Sequence, residues 1–384
     1  MTSHSSRIEL SKSALKNNLE FIRQKIGQHP VLSSVVKANA YGHGIETFVP
    51  LAEECGVEHF AVATSFEAEE VVEARTGDAD IMIMGILYPE DLHWVVDHEI
   101  EYFVFNFHRL ERSREVADKV GKKARVHLEL ETGGNRTGLH EEQLDKALDY
   151  LERHQDKLEL MGICTHFAGI ESLANQFRIQ QQEKNFERMR EQVEQSDVEP
   201  HYYHTACSAA ALAFPETVMD MVRVGTSQYG MWPSPDIYNM HLMQENKMSD
   251  APLQPVLSWK TDIMHLNEVE EGDYIGYGTA YQAPQDMEVA VIPLGYSNGY
   301  ARSLSNRHHV LIGGQRATIV GSINMNVFMV DVTDIPDVEL RDEVVLIGQQ
   351  GNENISIKSF TESIDAINNE FVSRLPAAIP RMIV

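Results

Sequence analysis

Eight short apolar runs, each followed by a polar or helix-patterned stretch, recur between residues 31 and 225. That alternation limits the fold more than any other feature of the chain. The runs read VLSSVVKA (31–38), FAVAT (60–64), IMIMG (81–85) and YFVFN (102–106). They continue with RVHLEL (125–130), LMGICTHF (160–167), YYHTACS (202–208) and MVRVG (221–225). Between them, SFEAEEVVEARTG (65–77), EEQLDKALDYLERHQ (141–155) and NQFRIQQQEKNFERMREQVEQ (175–195) carry helical periodicity. An earlier helix over 11–26 places Leu15, Leu19, Ile22 and Ile26 on one face behind a Ser11 or Ser13 cap. Eight strands alternating with helices over about 200 residues is the count and size of a (β/α)8 barrel. An open doubly wound sheet would call for a Gly-rich dinucleotide fingerprint after its first strand, and none stands there.

The texture changes after residue 231. WPSPDIYNMHLMQENKMSDAP is polar, bears prolines and reads as a connector. Beyond it lie β-type runs: VLSWKTDIMHL (256–266), EVAVIPLG (288–295), HVLIGGQRATIVGSI (309–323), VFMVDV (327–332) and EVVLIG (343–348). Gly313-Gly314, set between apolar stretches, predicts a hairpin turn. The expected organisation is α/β, with a TIM-like (β/α)8 barrel over 11–240 and a mostly β domain over 241–384 that residues 1–10 join. A chain of 384 residues is long enough for two cores.

Composition narrows the partners. Thirty-two basic against 58 acidic residues give a net charge of −26, which argues against nucleic acid and anionic membranes. Cys55, Cys164 and Cys207 match neither a disulfide framework nor a metal-site spacing, so no metal is expected. No apolar run approaches the length of a membrane span, and the N-terminal residues lack an apolar core of signal-peptide length. The expected location is cytoplasmic.

A barrel gathers its chemistry on the loops that follow the C-terminal ends of its strands. Read in that order, the loops offer Lys37 and Tyr41, then Glu129 and Arg136, then His166, Ser208, and finally Arg223, Gly225 and Thr226. Each has a bland counterpart: a solvated strand-end lysine, a core histidine, a flexible GGNRTG turn. Their gathering on one rim favours function. Ser208 and Gly225-Thr226 follow strands seven and eight, where barrels frequently hold phosphate against backbone N–H groups. A reactive lysine opposite a phosphate site points to a phosphorylated aldehyde held as a Schiff base, which pyridoxal 5'-phosphate fits.

VVKANAYGHG (35–44) closely resembles the cofactor-lysine signature of the alanine racemase family. The likeness extends through THFAG (165–169), RVGTSQYG (223–230), GYGTAY (276–281) and IPLGYSNGY (292–300). The resemblance implies a barrel followed by a β domain, in a head-to-tail homodimer with shared active sites. It implies Lys37 as cofactor anchor and one base, and Tyr277, reaching the partner subunit's site, as the second. It gives Tyr41, Ser208, Gly225 and Thr226 to the phosphate, and Arg223 to the pyridine nitrogen with His166 beside it. Arg136, the backbone N–H of Met325, and Tyr296 at the entrance would meet the substrate. Two bases on opposite faces invert a stereocentre directly, and a lysine and a tyrosine serve if their pKa values are lowered. An always-charged guanidinium at the pyridine nitrogen disfavours its protonation and weakens the cofactor as an electron sink.

The departures bear on specificity. Glu129 stands where many members carry a carbamylated lysine, and is expected to supply the same negative charge beside Arg136. Met325-Asn326 replaces a Met-Asp pair. SRLPAAIPRMIV lacks the family's inner-gate tyrosine, since alignment puts Ser373 or Ala377 there, and a roomier entrance is expected. The reading is a racemase interconverting L- and D-alanine for cell-wall precursors. A shifted specificity such as serine stands beside it. More distant are a decarboxylase of the same fold type, which usually sets a carboxylate at the pyridine nitrogen, and a cofactor-carrying barrel protein that lacks the β domain.

Overall fold

The computed structural model describes residues 4–384. The chain divides into two compact units. One comprises Ala14–Ala38 and Val49–Gln254; the other takes the segment ending at Ser13, Asn39–Phe48 and Pro255–Val384.

Strand β1 (Ser6–Leu10) belongs to the second unit. The first unit is built on β2 (Val31–Val35), β3 (His59–Thr64), β4 (Asp80–Ile86), β5 (Glu101–Val104), β6 (Ala124–Glu129), β7 (Leu158–Cys164), β8 (Tyr202–His204) and β9 (Met221–Val224). Every adjacent pair is parallel, from β8 through to β2, and β2 pairs with β9. A parallel bridge between Cys207 and Arg223, with Arg223 N–H donating to Ala206 O at 3.0 Å, closes the ring between β8 and β9. All eight apolar runs are therefore strands of one barrel. Six of the eight strands end before their apolar runs do, since those runs continue into the rim, whereas β3 ends level with its run and β4 one residue beyond it. Helices Lys12–Ile26, Ser65–Ala74, Glu141–Arg153 and Gln176–Glu194 occupy the periodic stretches. Leu15, Leu19, Ile22 and Ile26 are buried as their spacing predicts, while Ser13 lies inside the helix rather than before it.

Two expectations need correction. The polar stretch after residue 231 contains a helix, Pro235–Gln244, whose N-cap Ser234 accepts from Ile237 N–H at 3.2 Å. Serine at the cap and proline at the first helical position are start signals that outweigh the weak periodicity. The run 256–266 is two strands, β10 (Leu257–Asp262) and β11 (His265–Val269). Between them the backbone changes partner: Ile263 N–H donates to Asp342 O and Met264 N–H to Val291 O.

The second unit continues with β12 (Met287–Ile292), β13 (His309–Ile312), β14 (Gln315–Val320), β15 (Phe328–Asp331), β16 (Glu343–Gln350), β17 (Glu353–Ile355) and β18 (Arg381–Ile383). They pair in the order β11-β12-β15-β14-β13-β16-β10-β1-β18, with β17 on β16. The β13–β14 hairpin turns through Gly313 and Gly314, both in the left-handed region at φ +56° and +75°. Two positive φ values match the right-handed twist of the flanking strands, and only glycine adopts them without cost. A side chain at Gly314 would meet ordinary space, so its cost is conformational. Gly314→Val is expected to lower stability by about 1–2 kcal/mol in a denaturant titration.

Candidate active site

The C-terminal ends of the barrel strands place Lys37, Glu67, Arg136, Thr165, His166, Ser208 and Gly225 on one rim, as the parallel order requires. Lys37 is not a strand residue. Strand β2 stops at Val35, Val36 N–H donates to Ala61 O at 2.9 Å, and Lys37 opens a short turn, Lys37–Tyr41. Ala38, Asn39, Ala40 and Tyr41 all hold φ between 51° and 54°. Left-handed backbone costs an L-residue about 1–2 kcal/mol, so four in succession persist only where surroundings fix them. Gln228 Nε2 and the Tyr229 hydroxyl donate to Val35 O at 3.1 and 2.9 Å, tying the exit of β9 to that of β2 just before Lys37. Within the second unit, Gly44 N–H donates to Asn39 O at 2.9 Å, and Ile45 N–H to Asn39 Oδ1 at 2.9 Å. Arg381 Nη2 donates to Gly42 O at 2.9 Å, and the backbone O of Val372 lies where a Gly42 side chain would be.

Protein packed around Lys37 and the charge of Arg136 hold its amine below the usual lysine range, with Glu67 opposing. His166 is pushed down to about 3 by burial first, then by Arg223, Arg136 and Lys37, so its imidazole is neutral at working pH. The GGNRTG stretch, 133–138, is a hydrogen-bonded turn. Glu131 organises the turn, accepting from Gly133 N–H at 2.6 Å and from Arg136 N–H at 3.3 Å. Arg136 extends outward with Nη2 3.8 Å from Glu129 Oε1. Glu129 is only 4% exposed, its Oε2 has no partner among the described residues, and burial raises its pKa against the pull of Thr137, Arg136 and Arg223.

Arg223 is held from behind by a chain of buried polar groups. Nη2 donates to Thr165 O at 2.7 Å and Thr205 O at 3.2 Å, and Nη1 to His204 O at 3.0 Å and to His204 Nδ1. His204 Nε2 meets His127 Nδ1 at 2.9 Å, and His127 Nε2 meets Glu101 Oε2 at 2.8 Å. One proton arrangement satisfies all of these. Arginine can only donate, so His204 Nδ1 accepts; Nε2–H then donates to His127 Nδ1, and His127 Nε2–H to the carboxylate. Both imidazoles are thus neutral, consistent with burial holding both histidines below their usual range. His59 Nε2 at 3.3 Å and Arg125 at 2.8 Å also serve Glu101, and its histidine partners keep its pKa far down despite burial. The chain passes over β7 at Gly162, where a side chain would collide with both His127 and His204.

The donor set can be matched to a phosphorylated pyridine aldehyde. Lys37 offers an amine. Ser208 Oγ accepts from Gly225 N–H at 2.9 Å, which leaves its own hydroxyl proton to donate to an anion. The hydrogen bonds found for Arg223 use Nη1 and Nη2, and none from Nε–H is found among the described residues. The residues present fit pyridoxal phosphate.

Tyr277, Tyr296, Met325 and Asn326 lie in the second unit. Tyr277 sits between Gly276 and Gly278, both at positive φ, is 78% exposed, and its hydroxyl makes no hydrogen bond among the described residues. It is therefore not the buried, satisfied tyrosine of its bland reading. Met325 O accepts from Ser297 N–H at 3.0 Å, while Met325 N–H donates to nothing among the described residues. Asn326 Nδ2 donates to Ser297 Oγ at 2.7 Å, and Tyr296 is exposed. Ser373 ends the helix Asn368–Ser373 and Ala377 is exposed. Sequence reasoning passed over Glu67, Glu101, His127, His204, Gln228 and Arg381. A histidine inside each of two barrel strands, and a glutamate opening a third, were the available signals.

The chain matches the family model "Alanine racemase, N-terminal domain" over residues 10–233 and "Alanine racemase, C-terminal domain" over 256–383. It is 36% identical over 383 residues to an alanine racemase of Leptospira interrogans, covering 99% of this chain and 96% of that one. It is 33% identical over 382 residues to one of Methanococcus maripaludis, covering 100% and 99%. Among solved structures it resembles the alanine racemase of Streptomyces lavendulae (TM-score 0.88, 27% identity, 100% and 98% covered). It also resembles that of Bacillus anthracis with bound L-Ala-P (TM-score 0.87, 30% identity, 100% and 96% covered).

The buried chain predicts a pH-dependent stability. The Glu101 carboxyl is held below its ordinary value of 4.5, so its contribution is complete above that pH and disappears as pH falls further. Glu101→Gln should cost about 3 kcal/mol at pH 7, with the difference from wild type narrowing below pH ~4.5, as read by urea titrations across pH.

Proposed function

The chain belongs to the alanine racemase family and is an isomerase of that class; we propose that it does its work with pyridoxal 5'-phosphate held on Lys37. When bound, the cofactor supplies the electron-withdrawing ring that acidifies the Cα–H of an attached amino acid. The chain's own groups do the rest. Lys37, with its amine already held below the usual range, takes or returns the proton on one face. Tyr277 of the partner subunit serves the opposite face, and its exposure and unpartnered hydroxyl suit a residue completed by a second copy. Ser208, Gly225, Thr226 and Tyr41 hold the phosphate. Met325 N–H and Arg136 meet the substrate carboxylate, with Tyr296 at the entrance.

The observation that carries this reading is Arg223: a guanidinium fixed by four acceptors, with Nε–H left for the ring nitrogen. A cation there keeps that nitrogen unprotonated and moderates the electron sink, which suits proton exchange over bond-breaking at the carboxylate. It speaks for a racemase and against a decarboxylase. His166, neutral beside it, adds no competing charge. On this reading the protein works in the cytoplasm as a homodimer that supplies D-alanine for cell-wall precursors. Asn326, bonded to Ser297, carries no charge to the site. With Ser373 or Ala377 where the gate tyrosine would be, turnover of serine beside alanine is expected.

Borohydride reduction should fix the cofactor on Lys37, read by peptide mass spectrometry. A chiral assay should find Tyr277→Phe reduced on the order of 100-fold or more in both directions. Labelling at another lysine, or full activity in Tyr277→Phe, would sink the reading. Glu129 is proposed to balance Arg136. Its pKa is raised, so it takes up a proton above the ordinary glutamate value of 4.5 and the countercharge is lost there. In wild type kcat/KM should therefore fall on that acid limb. Glu129→Gln should be uniformly slow and lack the limb, and an unchanged profile would refute the role.

A further inference from the structure

The turn that carries Lys37 begins with a backbone N–H that would otherwise have no strand to bond. Ala38, the first left-handed residue, donates that N–H to Glu67 Oε1 at 2.7 Å. The other carboxylate oxygen, Oε2, accepts from Ala63 N–H in β3 at 2.8 Å. Glu67 is itself fixed, since it stands in the first turn of the helix Ser65–Ala74 and its own N–H donates to the cap, Thr64 Oγ1, at 3.1 Å. A helix-capping unit thus holds a carboxylate so that it bridges the ends of two neighbouring barrel strands. Both of its oxygens are used on backbone donors, and no ion pair to it is found among the described residues.

We infer that Glu67 is a positioning residue for Lys37: its carboxylate clamps the start of the left-handed turn to β3 and supplies a negative charge that counters the guanidinium of Arg136. The inference rests on the reading of Lys37 as the reacting lysine. The clamp matters because a left-handed turn of L-residues holds its shape only where it is over-determined. The direction in which Lys37 leaves the rim follows from the backbone that Ala38 continues. The charge matters because Arg136, from the loop after β6, and Glu67, from the helix after β3, act on the amine in opposite directions, while His166, from the loop after β7, is held down partly by the lysine's charge. Arg136 favours the neutral amine and Glu67 the charged one. His166 is itself neutral, so Glu67 is the counterweight. Along its own helix Glu67 faces Glu70, whose carboxyl it helps to raise.

The two effects separate by substitution. Glu67→Gln keeps the size and one acceptor oxygen but turns an NH2 group towards the second backbone donor, and it removes the charge. Glu67→Asp keeps the charge on a side chain one carbon too short to span both donors. The test titrates Lys37 in the full-length chain freed of cofactor, by competitive acetylation across pH read at the Lys37 peptide, with exposed Lys16 as control. In Glu67→Gln the Lys37 titration should move to lower pH while that of Lys16 stays, and in Glu67→Asp it should stay near wild type. In both reconstituted variants kcat should fall on the order of 10- to 100-fold, since misplacing a reacting group by about 1 Å has that effect. KM for alanine should change little. A Lys37 titration identical in wild type and Glu67→Gln, or wild-type kcat in both variants, overturns the inference. Borohydride labelling at a lysine other than Lys37 would defeat the functional reading while leaving the acetylation result intact.

Discussion

The rim depends on one interaction beneath it, the hydrogen bond between the Glu101 carboxylate and His127 in the barrel interior. A buried carboxylate is tolerable only when donors surround it, and here two imidazoles and the Arg125 guanidinium do so. Once His127 gives its Nε2–H to Glu101, the proton positions on His127 and His204 follow, and Arg223 finds an acceptor waiting. Each link from Arg223 to Glu101 has its partner, while His59, at the side of the network, keeps Nδ1 without one among the described residues. Gly162 is the condition for it, because any larger residue on β7 would separate the two histidines. The guanidinium at the rim is thereby set by groups that never reach the solvent.

Above that base, charge and backbone are arranged against the protein's general tendency. The chain carries a net charge of −26, yet Lys37, Arg136 and Arg223 act together on His166. Such a concentration of cations suits a substrate carboxylate and a phosphate. Glu129 and Glu67 are the carboxylates that temper it, one buried beside Arg136 and one bonded to the turn that begins at Lys37. The turn itself is strained over four residues, which is the pattern expected where geometry serves chemistry rather than stability.

Much of this could be read from the chain directly. All eight barrel strands coincide with apolar runs, and the helices Glu141–Arg153 and Gln176–Glu194 begin and end within two residues of their periodic stretches. The hairpin at Gly313-Gly314 was visible because two glycines are what its backbone requires. The helix Pro235–Gln244 was missed because its apolar face is weak, although its Ser-Pro start was present. The division at Ile263 was missed because a continuous apolar run does not record a change of hydrogen-bonding partner.

By itself the sequence determined the alternation that closes a parallel barrel, and hence which loops share a rim. Strand direction and side-chain periodicity are local properties, so Lys37, Arg136, His166, Ser208 and Arg223 could be named from position alone. Only the tertiary structure decided what those residues are next to. Glu101, His127 and His204 lie on three strands far apart in the chain, and a histidine inside a strand or a glutamate at its start does not reveal which partner it meets. Their tautomers, the four bonds that fix the terminal nitrogens of Arg223 and the grip of Glu67 on Ala38 arise from distances of about 3 Å between segments that only folding brings together.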